Sequence, residues 1–132
     1  MSSSFTELLV WQKSHQFVLL VYQVTNRFPN YERIGLTSQF QRAAVSIPAN
    51  IAEGYKKMGK ADKLRFINIA QGSLEECRYY VILSKDLGYI TEDDANQMYI
   101  IIEDASRLLN AYGKKIKEST FVNDINQWSI WL

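Results

Sequence analysis

One histidine and one cysteine, His15 and Cys77, are all that this 132-residue chain offers for thiolate or imidazole chemistry. A Cys–His pair works only when the imidazole reaches the sulfur. The helical reading below puts His15 near the start of the first helix and Cys77 in the second half of the third, far apart along the axis of a bundle. A di-metal centre in such a bundle needs Glu-x-x-His on two helices and two further glutamates. The sequence has no such motif, so Glu53, Glu75 and Glu76 read as surface or packing carboxylates. Gly54, Gly59 and Gly72 lack the spacing of a phosphate-binding loop. A lone cysteine also excludes an internal disulfide and a Cys-rich zinc site. No catalytic residue, cofactor, metal or small-molecule substrate is expected, and the chain reads as a non-enzyme.

Charge is the remaining chemistry. Lys56, Lys57, Lys60, Lys63 and Arg65 crowd one stretch, and Lys114, Lys115 and Lys117 another. Clustered cations bind polyanions by releasing condensed counterions. Fifteen basic against fourteen acidic side chains leave a net charge of +1, which argues against a generic nucleic-acid coat and directs attention to local patches.

Four helical segments must position these groups. Val10, Ser14, Phe17, Val21, Val24 and Phe28 recur at spacings of three and four, the seam of an amphipathic helix from about Glu7 to Phe28. A second helix is expected from Thr37 to Lys57, with Phe40, Ala44, Ile47, Ile51 and Tyr55 inward. Thr37 or Ser38 would cap it, Gln41 completing a capping box from Ser38. Pro48 lies inside this helix, removes the amide that would bond the Ala44 carbonyl, and predicts a kink. The third runs from Ala61 to Leu87 on Ile67, Ala70, Leu74, Cys77, Val81 and Ser84, with Gly88 after it. The fourth opens at Thr91-Glu92-Asp93-Asp94, a threonine cap followed by acids where the helix dipole favours them. Ala95, Met98, Ile102, Ala105, Leu109, Tyr112 and Ile116 carry its seam to the closing lysines.

No segment sustains the period-two alternation of a strand. The fold class is therefore all-α, an antiparallel up-down four-helix bundle over residues 1–118. Small residues in helices two and three (Ala43, Ala44, Ala49, Ala52, Gly54, Ala70, Gly72 and Ser73) predict that these form the tightest pair. The tail, residues 119–132, carries Phe121, Val122, Ile125, Trp128, Ile130, Trp131 and Leu132, and reads as an apolar strap on its own or a neighbouring bundle. No signal peptide, membrane-length apolar run or myristoylation site is found, so the expected location is the cytoplasm, with no membrane partner.

In that topology the start of helix one, the end of two, the start of three and the end of four meet. That end gathers Lys13, Lys56, Lys57, Lys60, Lys63, Arg65, Lys114, Lys115 and Lys117 against Glu7, Glu53, Asp62 and Glu118. Tyr55 and Trp11 would add stacking surface there. The opposite end holds Glu32, Asp86, Glu92, Asp93 and Asp94 against Arg27, Arg33 and Lys85. Lys56, Lys57, Lys60, Lys63, Arg65, Lys114, Lys115 and Lys117 are the expected nucleic-acid-binding residues. Leu19 and Leu20 on the outer face of helix one, with Trp128 and Trp131 of the tail, are the expected oligomer contacts.

Two motifs carry a family resemblance: Arg42-Ala43-Ala44-Val45-Ser46-Ile47-Pro48-Ala49-Asn50-Ile51-Ala52-Glu53-Gly54-Tyr55, and Phe66-Ile67-Asn68-Ile69-Ala70-Gln71-Gly72-Ser73-Leu74-Glu75-Glu76 followed by Leu87-Gly88-Tyr89-Ile90. Together they resemble the four-helix-bundle proteins encoded in intervening sequences of bacterial 23S rRNA genes. The chain is also similar to the accessory variability protein of diversity-generating retroelements. The resemblance implies an up-down bundle, often a ring-shaped homopentamer. In the retroelement relative it implies a basic adaptor for a reverse transcriptase and nucleic acid. The near-neutral charge here departs from that relative. The expected function is thus a non-catalytic homo-oligomeric adaptor contacting RNA or a nucleic-acid-processing enzyme, such as a reverse transcriptase-like protein, through its lysine-rich end. The alternative is a protein-only scaffold using the ring surface or the tail.

Overall fold

The computed structural model describes residues 4–119. Four helices occupy most of that span: α1 (Leu9–Thr25), α2 (Leu36–Lys56), α3 (Lys60–Asp86) and α4 (Glu92–Glu118). Single 3-10 turns at Phe5–Glu7 and Asn30–Glu32 lead into α1 and α2. Each helix packs on its chain neighbours, and α1 closes the square against α4. This is the expected all-α, up-down four-helix architecture, with no strand among the described residues. No helix among them is long and apolar enough to cross a membrane.

Every seam position read from the three-four spacing is buried. Phe17, Phe40, Met98 and Ile102 are wholly enclosed, with Leu74 and Leu109 within a few per cent of it. The polar seam members are accommodated locally: Ser14 donates to the Val10 carbonyl at 2.8 Å, bonding one turn back.

The helix ends show where local chemistry decides and where it does not. At α4, Thr91 Oγ1 accepts from the Asp94 amide and Asp94 Oδ2 accepts from the Thr91 amide, both at 3.1 Å. The amide bond from Thr91, aided by Arg27, holds the Asp94 carboxyl below its usual range. At the end of α3, Gly88 takes φ +77°, the left-handed conformation that favours glycine. Tyr89 N then donates to Ser84 O and Gly88 N to Lys85 O, a Schellman motif that closes the helix. The start of α2 departs from the sequence expectation. The helix begins at Leu36, so Thr37 and Ser38 lie inside it and cap nothing. Instead Glu32, from the preceding turn, accepts from the Leu36 amide at 3.2 Å. Gln41 is thereby released from any capping box and donates to Thr25 Oγ1 of α1 at 3.0 Å. Through Pro48, which is buried, α2 runs on as one helix to Lys56.

α2 and α3 share the largest interface, as their small residues predict. Ser73 donates to Ser46 Oγ at 2.8 Å, and Asn50 donates to the Ser46 carbonyl at 2.7 Å. At Gly54 the two helices approach closely: an added Cβ would lie 3.0 Å from Phe66 Cβ and 3.5 Å from the Lys63 carbonyl oxygen. Ala49 and Gly72, in contrast, face solvent and take no part in this interface.

Two substitutions test this packing. Gly54→Ala must push α2 from α3, and urea denaturation should show a loss of about 1–3 kcal/mol. Tyr112 is buried and its hydroxyl has no hydrogen-bond partner among the described residues. Tyr112→Phe removes that unsatisfied group, so the thermal midpoint should rise, by a gain on the order of 1 kcal/mol.

Candidate nucleic-acid interface

The expected basic end is assembled by contacts between all four helices. Glu7 lies near enough to Tyr55 to raise its phenol pKa, although burial is the larger cause. Lys60, at the start of α3, donates to the Lys117 carbonyl near the end of α4 at 2.8 Å. Trp11 on α1 stacks on His15, ring centres 4.9 Å apart, and meets Phe5 edge-on at 5.3 Å.

Lys63 is the surprise of this end. Its side chain is 1% exposed, and Nζ donates to the Tyr55 carbonyl at 2.7 Å and to the Gly54 carbonyl at 3.3 Å. The ammonium also lies 5.7 Å from the centre of the Tyr55 ring. The final turn of a helix leaves its carbonyls without amide donors and bears partial negative charge. Lys63 therefore satisfies the end of α2 from inside the bundle, and does not join the exposed cations expected from the sequence. Tyr55 is corrected for the same reason: at 5% exposure it belongs to the core and offers no stacking face. Of the two expected aromatic surfaces only half-buried Trp11 retains access to solvent.

The other cations stand at the surface. Lys56, Arg65, Lys114, Lys115 and Lys117 are exposed, and Lys57 and Lys60 half-buried. Lys57 and Arg65 both approach the Phe66 ring, at 5.2 and 4.5 Å from its centre. Two ion pairs at this end are loose and each lies within one helix, Arg65–Asp62 at 3.9 Å and Lys114–Glu118 at 4.0 Å. The acidic end differs. There Arg27 meets Asp94 at 3.2 Å and Lys85 meets Glu92 at 3.6 Å, each across two elements.

Between α3 and α4 the basic end opens into a groove of about 530 Å³. Arg65, Asn68 and Gln71 line it from α3, and Asn110, Lys114 and Lys117 from α4. Leu64, Ile67 and Gly113 complete it. Gln71 Nε2 donates to Asn110 Oδ1 at 2.8 Å and ties the walls together.

Residues 6–111 match the model of the 23S rRNA-intervening sequence protein family. The chain belongs to this family. A solved structure of a protein of unknown function from the S23 ribosomal protein family of Bacteroides thetaiotaomicron is similar, with a TM-score of 0.75 and 25% identity. The likeness covers 80% of this chain and 99% of that one. A search of curated proteins finds no significant match.

For this family member, the residues considered for catalysis are not brought together. Cys77 is fully buried, and burial, with a contribution from Glu76, pushes its thiol far above the ordinary range. His15 instead packs on Trp11. Among the described residues no group of three or more His, Cys, Asp or Glu is arranged to hold a metal ion. Of the expected oligomer contacts, Leu19 is 57% exposed while Leu20 is half-buried against its own core. Trp128 and Trp131 lie outside the described residues. Asn68 and Asn110 were not singled out from the sequence. Their signal is a spacing of three from Asn68 to Gln71, and of four then three from Asn110 through Lys114 to Lys117.

The buried ammonium gives a pH test. Burial lowers the Lys63 pKa to about 8. The unfolded chain, with a lysine near its ordinary value, binds more protons between that pH and about 10, so stability rises with pH in that window. Wild type should gain on the order of 2 kcal/mol relative to Lys63→Met between about pH 8 and 10, measured by urea denaturation. Tyrosines titrating above that range are shared by both proteins and largely cancel.

Proposed function

We propose that this protein is a cytoplasmic, non-catalytic, homo-oligomeric adaptor that contacts RNA through the basic end of its bundle. One observation carries the reading: α2, α3 and α4 bring Lys56, Lys57, Arg65, Lys114 and Lys117 to one end, where the Arg65–Asp62 and Lys114–Glu118 pairs are loose and intrahelical. Cations held without close carboxylates project their field outward. The same surface suits a protein partner that itself carries nucleic acid. The resemblance to the retroelement accessory variability protein makes a reverse transcriptase-like enzyme the class of choice.

Assembly into a ring, a pentamer by the same resemblance, would repeat the basic end about an axis. The outer face of α3 supports self-association. Gly72 sits in the exposed interior of a 27-residue helix, where glycine costs about 1 kcal/mol relative to alanine. Among the described residues nothing lies within 4 Å of a Cβ built there, so their packing does not require the glycine. Exposed Ile69 and Tyr79 flank it at helical spacing. A second copy seated on this face would account for all three. The same face favours the second reading, a scaffold that binds only protein.

Fluorescence anisotropy of a structured RNA at several salt concentrations separates the readings. Wild type should bind with a log–log salt slope of about −3 to −5. Reversing Lys56, Lys57, Lys114 and Lys117 to glutamate should weaken binding at least about 100-fold. Lys60 and Lys63 are left intact because they serve helix ends. No binding at low salt would sink the RNA reading and leave the scaffold.

A further inference from the structure

We infer that the α3–α4 groove seats an unpaired nucleotide of an RNA strand, its phosphates on Arg65, Lys114 and Lys117 and its base edge on the amides of Gln71 and Asn110. This rests on the RNA-contacting reading above and gives it a specific site. Among the described residues every ionisable side chain lining the groove is a cation, and no carboxylate lines it. Its 530 Å³ falls within the range of about 300–1,000 Å³ typical of small-ligand sites, room for one nucleotide.

The polar lining does more than attract charge. An amide carries two donor hydrogens and an acceptor oxygen. The Gln71–Asn110 bond occupies one Gln71 hydrogen and the Asn110 oxygen. It leaves the Gln71 oxygen as acceptor and the Asn110 NH2 group as donor, on side chains that both line the groove. A base edge presents the complementary donor and acceptor. Only an unpaired base can offer its Watson–Crick edge, because pairing in a duplex occupies it. The apolar side chains of Leu64 and Ile67 lie beside these amides and provide a surface for the base face. Gly113 deepens the groove: a Cβ there would come 3.4 Å from Ile67 Cγ2.

The test uses the full chain and two RNA probes of equal length, a single strand and a duplex. The double variant Gln71→Leu with Asn110→Leu keeps all three cations and removes the donor–acceptor pair. Single-strand affinity should fall about tenfold, with duplex affinity unchanged. Independently, 4-thiouridine in the single strand should photo-cross-link to wild-type peptides spanning residues 64–71 and 110–117. If wild type binds both RNAs, but the variant matches it on both and the cross-links map elsewhere, the groove site is overturned while the adaptor reading stands. If wild type binds neither RNA at low salt, the adaptor reading fails and the groove site with it. Displacement of the strand by free uridine monophosphate at equal concentration would overturn a strand site in favour of a mononucleotide one.

Discussion

A buried ammonium at the end of α2 holds the geometry on which the rest of the basic end depends. Lys63 reaches from the first turn of α3 to the Tyr55 carbonyl, a group that a helix terminus otherwise leaves to water, and to the Gly54 carbonyl, which it shares with the Lys57 amide. Among the described residues its partners are backbone carbonyls rather than a carboxylate, and its counter-charge is the dipole of the helix it ends. Burying a cation on such terms is costly, as its lowered pKa shows. The return is position. With only Lys57, Met58 and Gly59 between the helices, α3 must start where α2 stops, and Gly54 lets the two backbones close to contact. The direction of the chain reverses within three residues, and the cations on both sides are forced into one neighbourhood.

Helix polarity then explains why lysines collect there without repelling one another out of the structure. The basic end contains the C-termini of α2 and α4, both partially negative. Lys63 serves the first, and Lys60 serves the second through the Lys117 carbonyl. A cation that caps a carbonyl still carries its full charge, so capping and outward field are compatible. At the acidic end the N-termini of α2 and α4 attract carboxylates instead: Glu32 bonds the Leu36 amide and Asp94 the Thr91 amide. Those carboxylates also take up neighbouring side chains, Arg27 by Asp94 and the Tyr89 hydroxyl by Glu32 at 2.7 Å. The two ends follow one electrostatic rule with opposite sign.

The fold was legible because burial imposes a period, and each of the four seams repeats it without a break. Lys63 was legible by the same logic and was nonetheless misread by its charge. Stepping four residues back from Ile67 along the α3 seam lands on it, so periodicity outranked residue type. Tyr55 fell on the α2 seam as well, which already denied it a stacking role. The start of α2 was not legible, because Ser38 and Gln41 fit a capping box as well as many true ones do. What displaced it was Glu32 in the preceding turn, whose placement depends on the whole connection. The groove was least visible of all. Gln71 and Asn110 stand 39 positions apart and acquire meaning only when α3 and α4 are set side by side.

Net charge misleads for a molecule of this shape, and lengths show why. At 1.5 Å per residue the 27 residues of α3 separate the two ends by about 40 Å. The screening length at physiological salt is about 8 Å, so surface charges at one end are hidden from a ligand at the other. A polyanion at the basic end would meet the cations of α2, α3 and α4 against only Glu7, Glu53, Asp62 and Glu118 of the fourteen carboxylates. Within that end charge supplies attraction without discrimination, since every phosphate looks alike to a lysine. Discrimination has to come from groups with direction, and the amides between α3 and α4 are the directional groups set among the cations. In the proposed role, antiparallel packing places attraction and recognition at the same site, in a chain whose composition suggests neither.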